Sequence, residues 1–265
     1  MVHRRIRKSR GSKLLANHNR CWIWGRHAVQ ETLCAGRWPV VELALSRRLT
    51  DDLATTLTEL AEAAQVSVTV TDDDGVARLC RAADHQGCAA RMAEFPYLSA
   101  NGLLERTTAQ SILVVLDRIQ DPYNFGAIIR SAEGLGLEGM VIGTREQAAV
   151  NSLAARSSAG AVNHLPICRV DDLAGFVQEL RQRRWQVWGA SEKGSTALSA
   201  MSWELPLAVI IGNEGAGISP ELLSLCTQIV QIPMQGRVGS LNAAVSAGIL
   251  CYEAAESRRR LTSGT

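Results

Sequence analysis

The sequence has no long uninterrupted apolar run and no cysteine pattern typical of a metal site. No window approaches the roughly 18 consecutive apolar residues that a membrane-spanning helix needs, and the N-terminal residues lack the apolar stretch of a secretory signal. We therefore expect an intracellular, cytoplasmic protein. The seven cysteines are scattered, odd in number and never spaced as Cys-x-x-Cys, which argues against a disulfide framework or a zinc site. They are interpreted as reduced, mostly buried side chains.

The sequence also has no long polar tract. Of its 265 residues, 46% are hydrophobic and 20% are charged, which is typical of a globular protein, and the length favours two domains. Residues 1–20 carry seven Lys and Arg and no acid, so the formal net charge of +2 leaves the remainder at −5. This basic, flexible extension either attracts a polyanion or is only a solvated tail or a misassigned start.

Short alternating elements predict a small α/β unit over residues 21–96. Helices are expected at His27–Ala35, at Asp51–Ala64 and after the acidic turn Asp72–Gly75. Strands are expected at Val40–Leu45, Val66–Val70 and Cys88–Met92. Residues 97–110 are then expected to be a linker.

A nearly continuous apolar run, Ser111–Leu116, opens the second unit and is typical of a strand buried on both faces. Further strands are predicted with helical stretches between them, at Gly139–Ile142, Trp185–Ala190, Leu207–Ile211 and Gln228–Ile232. This order indicates an α/β domain with a parallel sheet over residues 111–257, followed by a tail at 258–265. The segment Gly134–Gly139 satisfies GxGxxG, but it follows a helix and precedes a strand. We interpret it as a helix C-terminal turn.

Three segments combine a predicted strand end with residues suited to a binding site. In the first, Asp121 and Pro122 fit the N-cap and first position of a helix, which places Asn124 in its first turn at the carboxyl end of a strand. Arg130 emerges from an otherwise small and apolar stretch of that helix. Spacing alone favours a surface ion pair between Arg130 and Glu133, three residues further on.

The second and third segments are glycine-rich. Gly212–Gly217 follows a buried strand and offers three glycines for close ligand approach, together with Asn213 and Glu214. Ile232–Asn242 again follows a strand, and its Ser240 is predicted to cap a long helix from Leu241 to Glu256. That helix has a face of small residues that would allow a loop or a partner subunit to pack closely, formed by Ala243, Ala244, Ser246, Ala247 and Gly248. Two such loops at one sheet edge suit any nucleotide-like ligand, without identifying it.

At these segments the sequence resembles the SpoU/TrmH family of SPOUT methyltransferases, which methylate the ribose 2′-hydroxyl of RNA. The matching motifs are Asn124-x-Gly126-x-x-x-Arg130, Gly212-Asn213-Glu214-x-x-Gly217, and Ile232-Pro233-Met234-x-Gly236 continuing to Ser240-Leu241-Asn242. The resemblance implies a SPOUT fold with a deep trefoil knot, a homodimer that uses the small helix face, and S-adenosylmethionine as cofactor. It assigns Gly212, Ile232 and Leu241 to the adenosine, with Asn213, Gly217, Met234 and Gly236 as further cofactor contacts.

The N-terminal unit resembles the L30e-like substrate-binding domain of the 23S ribosomal RNA guanosine 2′-O-methyltransferases of this family. Gly25–Val29 and His85–Gly87 carry this likeness. His27 and His85 lie in these segments, and each of them either has a structural role or contacts RNA. The resemblance therefore favours ribosomal RNA as the substrate, most specifically a guanosine in 23S ribosomal RNA.

By family analogy, Arg130 activates or orients the 2′-hydroxyl, and Asn124, Glu214, Ser240 and Asn242 arrange ribose, phosphate or the arginine itself. A guanidinium stays protonated, so we interpret Arg130 as an electrostatic clamp and leave the proton acceptor open. The sequence has no cluster of metal ligands, and no metal is expected. Methyl transfer needs an in-line arrangement that positioning alone can supply.

Four alternatives remain at this stage. Two alternatives keep the fold and the chemistry: an enzyme that methylates transfer RNA, and a resistance enzyme that modifies ribosomal RNA at an antibiotic site. A noncatalytic RNA-binding or ribosome-assembly factor would keep the same fold without turnover. A dinucleotide-dependent oxidoreductase is disfavoured by the position of GxGxxG.

Overall fold

The computed structural model describes residues 21–192, 194, 196–198, 203–237 and 239–263. The predicted basic extension, residues 1–20, lies outside these ranges. The chain divides into two compact units with the boundary between Phe95 and Pro96. Within the described ranges, no helix combines the length and the apolar character needed to cross a membrane.

The N-terminal unit is a four-stranded sheet with three helices. Its strands are β1 (Trp22–Trp24), β2 (Val40–Ser46), β3 (Ser67–Thr71) and β4 (Cys88–Met92). Its helices are α1 (Arg26–Ala35), α2 (Asp51–Ala63) and α3 (Asp73–Cys80). The strand order is β1-β4-β2-β3, with β4 antiparallel to both neighbours and β2 parallel to β3.

The acidic turn predicted to precede α3 is instead the start of the helix itself. Asp72 is the N-cap, and its side chain accepts a hydrogen bond from the backbone N–H of Gly75. Asp73 and Asp74 occupy the first turn, where the positive end of the helix dipole favours acidic side chains.

The C-terminal unit is a seven-stranded parallel sheet. Its strands are β5 (Ile112–Asp117), β6 (Gly139–Gly143), β7 (Ile167–Val170), β8 (Gln186–Ala190), β9 (Thr196–Ala197), β10 (Leu207–Gly212) and β11 (Gln228–Gln231). Its helices are α4 (Ala100–Leu104), α5 (Pro122–Gly134), α6 (Ser152–Ser157), α7 (Leu173–Gln182), α8 (Pro220–Leu225) and α9 (Ala243–Ser263). The strand order is β7-β6-β5-β10-β8-β11-β9, and every pairing is parallel. The predicted parallel α/β class is confirmed.

The centre of this sheet is apolar on both faces. Every residue of β5 is buried, and so are the first five residues of β10 beside it. This burial explains why both strands read as continuous apolar runs in the sequence. From β5 the chain adds β6 and then β7 on one side of the sheet. The next strand, β8, lies on the other side, beyond β10. The direction in which strands are added therefore reverses between β5 and β10. Parallel α/β sheets place ligand sites at the carboxyl ends of strands at such a point.

Besides α3, several elements differ from their predictions, and the short strands β1 and β9 were not predicted. The predicted linker, residues 97–110, contains α4, because Leu103 and Leu104 are buried in the core of the C-terminal unit. The short strand β7 was not predicted, since it has only four residues, of which two are buried. The last helix begins at Ala243 and continues to Ser263, so most of the predicted tail is helical.

Candidate active site

The carboxyl ends of β5 and β10 lie side by side, because Asp117 and Gly212 are partners in the strand register. The loop that leaves β10, together with the segments that follow β8 and β11, surrounds a pocket of about 840 Å³. This volume falls within the usual range of small-molecule sites. The pocket therefore lies at the sheet edge where the sequence motifs were expected to meet.

Most of the residues assigned to the cofactor line this pocket. They are Gly212, Asn213, Gly217, Ile232, Met234 and Leu241, and the predicted catalytic residues Glu214 and Ser240 line it too. Gly236 is exposed and is not part of the lining. The motif between β11 and α9 also contains residue 238, which lies outside the described ranges.

The loop after β10 folds back on itself. The backbones of Asn213 and Gly217 exchange two hydrogen bonds of 3.1 and 2.9 Å. Inside the loop, Oδ1 of Asn213 accepts from the backbone N–H groups of Gly215 and Ala216. A Cβ on Gly212 would come within 2.3 Å of the backbone at Gly217, so only glycine fits there. Gly217 itself has a φ of +70°, which favours glycine.

One side chain from each motif joins a single hydrogen-bonded chain. Nδ2 of Asn124 donates to Oε1 of Glu214 at 2.9 Å, and Oδ1 of Asn124 accepts from Nδ2 of Asn242 at 3.0 Å. Asn124 can bridge the other two because it lies in the first turn of α5, at the end of β5. The predicted N-cap, Asp121, is confirmed by a 3.0 Å bond to the N–H of Tyr123, and Pro122 follows as predicted.

The cap of α9 differs from its prediction. Oδ1 of Asn242 accepts from the backbone N–H groups of Ala244 and Val245, at 2.9 and 3.3 Å. Asn242 thus caps the helix, and the predicted cap at Ser240 was wrong because the helix begins two residues later than expected. Asn242 has two tasks: its carbonyl oxygen fixes the helix start, while its amide nitrogen reaches Asn124.

Arg130 is exposed and stands apart from this chain of side chains. Among the residues that the structure describes, none forms a hydrogen bond or an ion pair with the Arg130 side chain. The ion pair with Glu133 that spacing favoured is therefore not formed. The guanidinium is available to a bound ligand from outside the chain.

The segment after β6 holds α5 in place, and it was not singled out in the sequence. A Cβ on Gly126 would lie 2.5 Å from the carbonyl oxygen of Ala154 and 2.6 Å from Cβ of Ser157. Oγ of Ser157 donates to the carbonyl of Tyr123 at 2.7 Å. The glycine of the first motif thus allows α6 to pack directly on the turn that carries Asn124. Only the tertiary structure shows this role.

Residues at and just after the end of β8 also line the pocket and were not predicted. Ala190, Ser191 and Glu192 belong to the lining. Their position at the end of a predicted parallel strand was a signal that could have identified them. A Cβ on Gly194 would lie 2.7 Å from the backbone of Val230, so the chain after β8 passes directly against β11.

The cysteines supply no reactive thiolate to the site. All seven are free, and Cys80, Cys88, Cys168 and Cys251 are buried. Cys226 lies beneath the sheet next to Gly189, and burial raises the pKa of its thiol to about 11. Within the described ranges, no group of three or more His, Cys, Asp and Glu side chains could hold a metal ion.

The N-terminal unit has a cleft of about 470 Å³ at the edge formed by the start of α1 and the turn before β4. His85 is buried, and its Nδ1 accepts from the N–H of Gly87, which gives this histidine a structural role in the turn. Oε1 of Gln86 accepts from the N–H of Arg26 and ties the two segments together. His27 is exposed.

The fold and the pocket define a class of protein: a parallel α/β enzyme with a nucleoside-sized pocket beside a chain of amide and carboxylate side chains. The profile of the SpoU rRNA Methylase family matches residues 111–252, and that of the RNA 2′-O ribose methyltransferase substrate-binding domain matches residues 22–98. The chain belongs to the SpoU family of RNA methyltransferases.

Known proteins resemble this chain over most of its length. A protein of Staphylococcus haemolyticus assigned to the TrmH family of tRNA/rRNA methyltransferases is 31% identical over 242 residues, which cover 90% of this chain and 96% of that protein. The SpoU methyltransferase AviRb of Streptomyces viridochromogenes, solved with AdoMet, superimposes with a TM-score of 0.77 at 27% identity, covering 96% of this chain and 95% of its own. An rRNA methyltransferase of Sinorhizobium meliloti gives 0.79 at 25% identity, covering 94% and 90%.

Proposed function

We propose that this protein transfers a methyl group from S-adenosylmethionine to a ribose 2′-hydroxyl of RNA, and that its target is a guanosine of 23S ribosomal RNA. The observation that carries the proposal is the hydrogen-bonded chain from Glu214 through Asn124 to Asn242 at the edge of the pocket. This chain ties three distant segments of the sequence into one site. The match of residues 22–98 to a substrate-binding domain of RNA 2′-O ribose methyltransferases supports ribose as the acceptor.

The pocket suits a nucleoside-sized donor. Its volume of about 840 Å³ is large enough for an adenosine. Its lining combines loop backbone with apolar side chains, which can bind the polar edge and the apolar faces of such a group. Gly212, Ile232 and Leu241 are the proposed adenosine contacts, and the lining by Ser191 and Glu192 supplies further polar groups. The AdoMet complex of AviRb supports this choice of cofactor. When bound, S-adenosylmethionine supplies a methyl group activated by a positively charged sulfur.

In this proposal the protein acts by positioning and by electrostatics. The reaction forms a ribose O–CH₃ bond, breaks the S–CH₃ bond and releases the hydroxyl proton. Arg130, which is permanently protonated, stabilises the developing alkoxide or the adjacent phosphate. Asn124, Glu214, Ser240 and Asn242 orient the ribose. Holding the oxygen in line with the methyl carbon accounts for a large share of the rate.

The N-terminal unit is proposed to bind the RNA. Residues 21–96 form the substrate-binding unit and residues 111–257 the catalytic unit. The exposed Arg26 and His27 at the start of α1 are available for RNA contact, whereas the buried His85 shapes the neighbouring turn. The trefoil knot of the catalytic unit and the role of the basic extension stay predictions.

A homodimer through α9 is part of the proposal. Ala243 and Ala247, on the small helix face, are buried within the chain itself, and Gly248 packs towards Ser131 of α5. The small helix face is therefore covered by this chain itself. We propose that the partner subunit packs on the outer face of α9, where Val245 and Tyr252 are about half exposed. These two residues are seven apart and share one side of the helix.

Sedimentation velocity tests the dimer. Tyr252→Glu places a charge on the proposed interface and is expected to yield monomers. Leu261→Glu is the matched control, because Leu261 is similarly exposed but lies on the opposite side of the same helix. Monomeric unmodified protein, or equal dissociation by both variants, would contradict this interface.

The test of the function is transfer of labelled methyl from S-adenosylmethionine to unmodified 23S ribosomal RNA and to transfer RNA, supplied together and separately. Mapping of the modified nucleotide follows. The proposal predicts label at one guanosine 2′-oxygen of 23S ribosomal RNA. Label only in transfer RNA would retain the chemistry and overturn the substrate. Donor binding without transfer to either RNA or to ribosomal particles would favour a noncatalytic RNA-binding factor.

A further inference from the structure

The last residue of β5, Asp117, is a buried carboxylate with three hydrogen bonds. Its Oδ1 accepts from Nε of Arg118 at 2.9 Å, and its Oδ2 accepts from Nη2 of the same arginine at 3.1 Å. Oδ2 also accepts from the backbone N–H of Ser219 at 2.6 Å. Only 4% of Asp117 is exposed, so this carboxylate depends on its partners for the solvation that it has lost.

Arg118 makes further contacts that reach across to the loop after β10. Its Nη2 donates to the carbonyl of Gly217 at 3.2 Å, and its own carbonyl accepts from Nδ2 of Asn213 at 2.8 Å. Arg118 therefore holds both ends of the loop from 213 to 217. The hydrogen bonds to Asp117 raise the pKa of the guanidinium, which remains charged.

Arg118 adopts a backbone conformation that is unfavourable for its residue type. Its φ is +61°, in the left-handed region that residues with a side chain rarely adopt. The surrounding contacts hold this conformation, and it directs the carbonyl towards Asn213. Strain at such a position is maintained only where neighbouring contacts fix it.

We infer that Arg118 is a positioning residue for methyl transfer: the Asp117–Arg118 pair fixes the 213–217 loop so that Glu214 meets Asn124 and the pocket keeps its shape. The inference rests on the proposed function. Glu214 and the pocket-lining residues Asn213 and Gly217 are carried on this loop, whereas Arg118 does not itself line the pocket. The pair acts through the loop and does not touch the substrate or cofactor.

A double variant, Asp117→Asn with Arg118→Gly, is called the tether variant here. It removes the hydrogen bonds of the Arg118 side chain to Asp117 and to the carbonyl of Gly217. The asparagine can still accept from the N–H of Ser219, no unpaired charge remains buried, and glycine adopts a positive φ without strain. Arg184→Gly is the matched control, because Arg184 is an exposed arginine with a φ of +63° in the turn between α7 and β8. If the double variant fails to fold, Arg118→Lys replaces it, since lysine keeps the charge but not the forked geometry.

The readouts are the Kd of S-adenosylhomocysteine by calorimetry, kcat at saturating S-adenosylmethionine, and the urea unfolding midpoint. The tether variant is expected to raise Kd and to lower kcat, each by about tenfold or more, as the loss of a charge-assisted hydrogen bond implies. Arg118→Lys should change both in the same direction but less. Arg184→Gly should match the unmodified protein in Kd and kcat.

The outcomes separate this inference from the proposed function. In the first outcome, the unmodified protein binds S-adenosylhomocysteine and transfers methyl groups. If the tether variant then keeps both Kd and kcat, and only its unfolding midpoint falls, the Asp117–Arg118 pair has a purely structural role and the inference is overturned. If the unmodified protein neither binds the ligand nor transfers methyl groups, the proposed function is overturned, and the inference with it.

Discussion

The side chains of Asn124 and Asn242 share a hydrogen bond of 3.0 Å, although 118 positions separate them in the chain. Asn124 lies in the first turn of the helix after the first buried strand of the C-terminal unit, and Asn242 caps the last helix. Their contact joins the two ends of that unit at the pocket, and Glu214 completes the arrangement from the loop between them.

The first prediction separates the two tasks of Asn242. In Asn242→Asp, the carboxylate still caps the helix but cannot donate a hydrogen bond to Oδ1 of Asn124. A flip of the Asn124 amide does not repair the loss, because it would place the amide oxygen against the carboxylate of Glu214. We expect turnover to fall about tenfold or more, while the free energy of unfolding stays within about 0.5 kcal/mol. Asn242→Ala, the comparison variant, should lose the cap as well, at a cost of about 1 kcal/mol. Normal turnover by Asn242→Asp would contradict the bridging role.

Much of this site could be predicted from the sequence, because its signals are local. The apolar runs of β5 and β10, the Asp121 cap and the glycine-rich loop each depend on a few adjacent residues. The cap of α9 was misplaced because Ser240 and Asn242 are both good N-cap residues two positions apart. The packing of Gly126 on α6 and the contact of Arg118 with Gly217 join distant segments, so no local pattern reports them.

The second prediction concerns the glycine at the end of β10. In Gly212→Ala, the added methyl would overlap the backbone at Gly217, so we expect a loss of about 1–3 kcal/mol in unfolding free energy and a weaker affinity for S-adenosylmethionine. Gly215→Ala is the control in the same loop, because its nearest neighbour would be 3.7 Å away. Urea unfolding and calorimetry measure both effects. Equal behaviour of the two variants would refute the close approach.

The third prediction concerns the packing of α5. Gly126→Ala should destabilise the protein by about 1–3 kcal/mol, because the methyl group would press against Ala154 and Ser157 of α6. Gly134→Ala, at the end of the same helix, meets open space and should be neutral or stabilising by up to about 1 kcal/mol. Thermal unfolding followed by circular dichroism compares them. A stabilising Gly126→Ala would show that α6 does not pack there.

The fourth prediction concerns thiol reactivity at pH 8. Burial raises the pKa of Cys88, Cys168 and Cys226 to about 11 and that of Cys251 to about 12, so their thiolate fractions at pH 8 are very small. The exposed Cys34 should be alkylated first, the partly buried Cys226 slowly, and Cys88, Cys168 and Cys251 only after unfolding. Mass spectrometry of iodoacetamide-treated peptides reports each site, with Cys34→Ser as the control. Rapid labelling of Cys251 in the native protein would disagree with its burial.

The fifth prediction concerns Arg130. Because its side chain has no partner among the described residues and does not line the pocket, Arg130→Ala should leave S-adenosylmethionine affinity unchanged. Turnover should fall about 100-fold or more, as expected for a group that stabilises charge in the transition state. Glu133→Ala is the control for a surface ion pair and should have no effect. Unchanged turnover in Arg130→Ala would remove the proposed electrostatic clamp.

The most direct test of the account is methyl transfer to an RNA in which the single mapped target nucleotide carries a 2′-deoxyribose. All other nucleotides, including their bases, stay unchanged, and the fully ribose RNA is the control. The account predicts transfer to the control and none to the deoxy-substituted RNA, because the accepting oxygen is missing. Equal transfer to both would show that this 2′-oxygen is not the acceptor, and label mapped to the base of the same nucleotide would contradict the assignment of this site to ribose 2′-O-methylation.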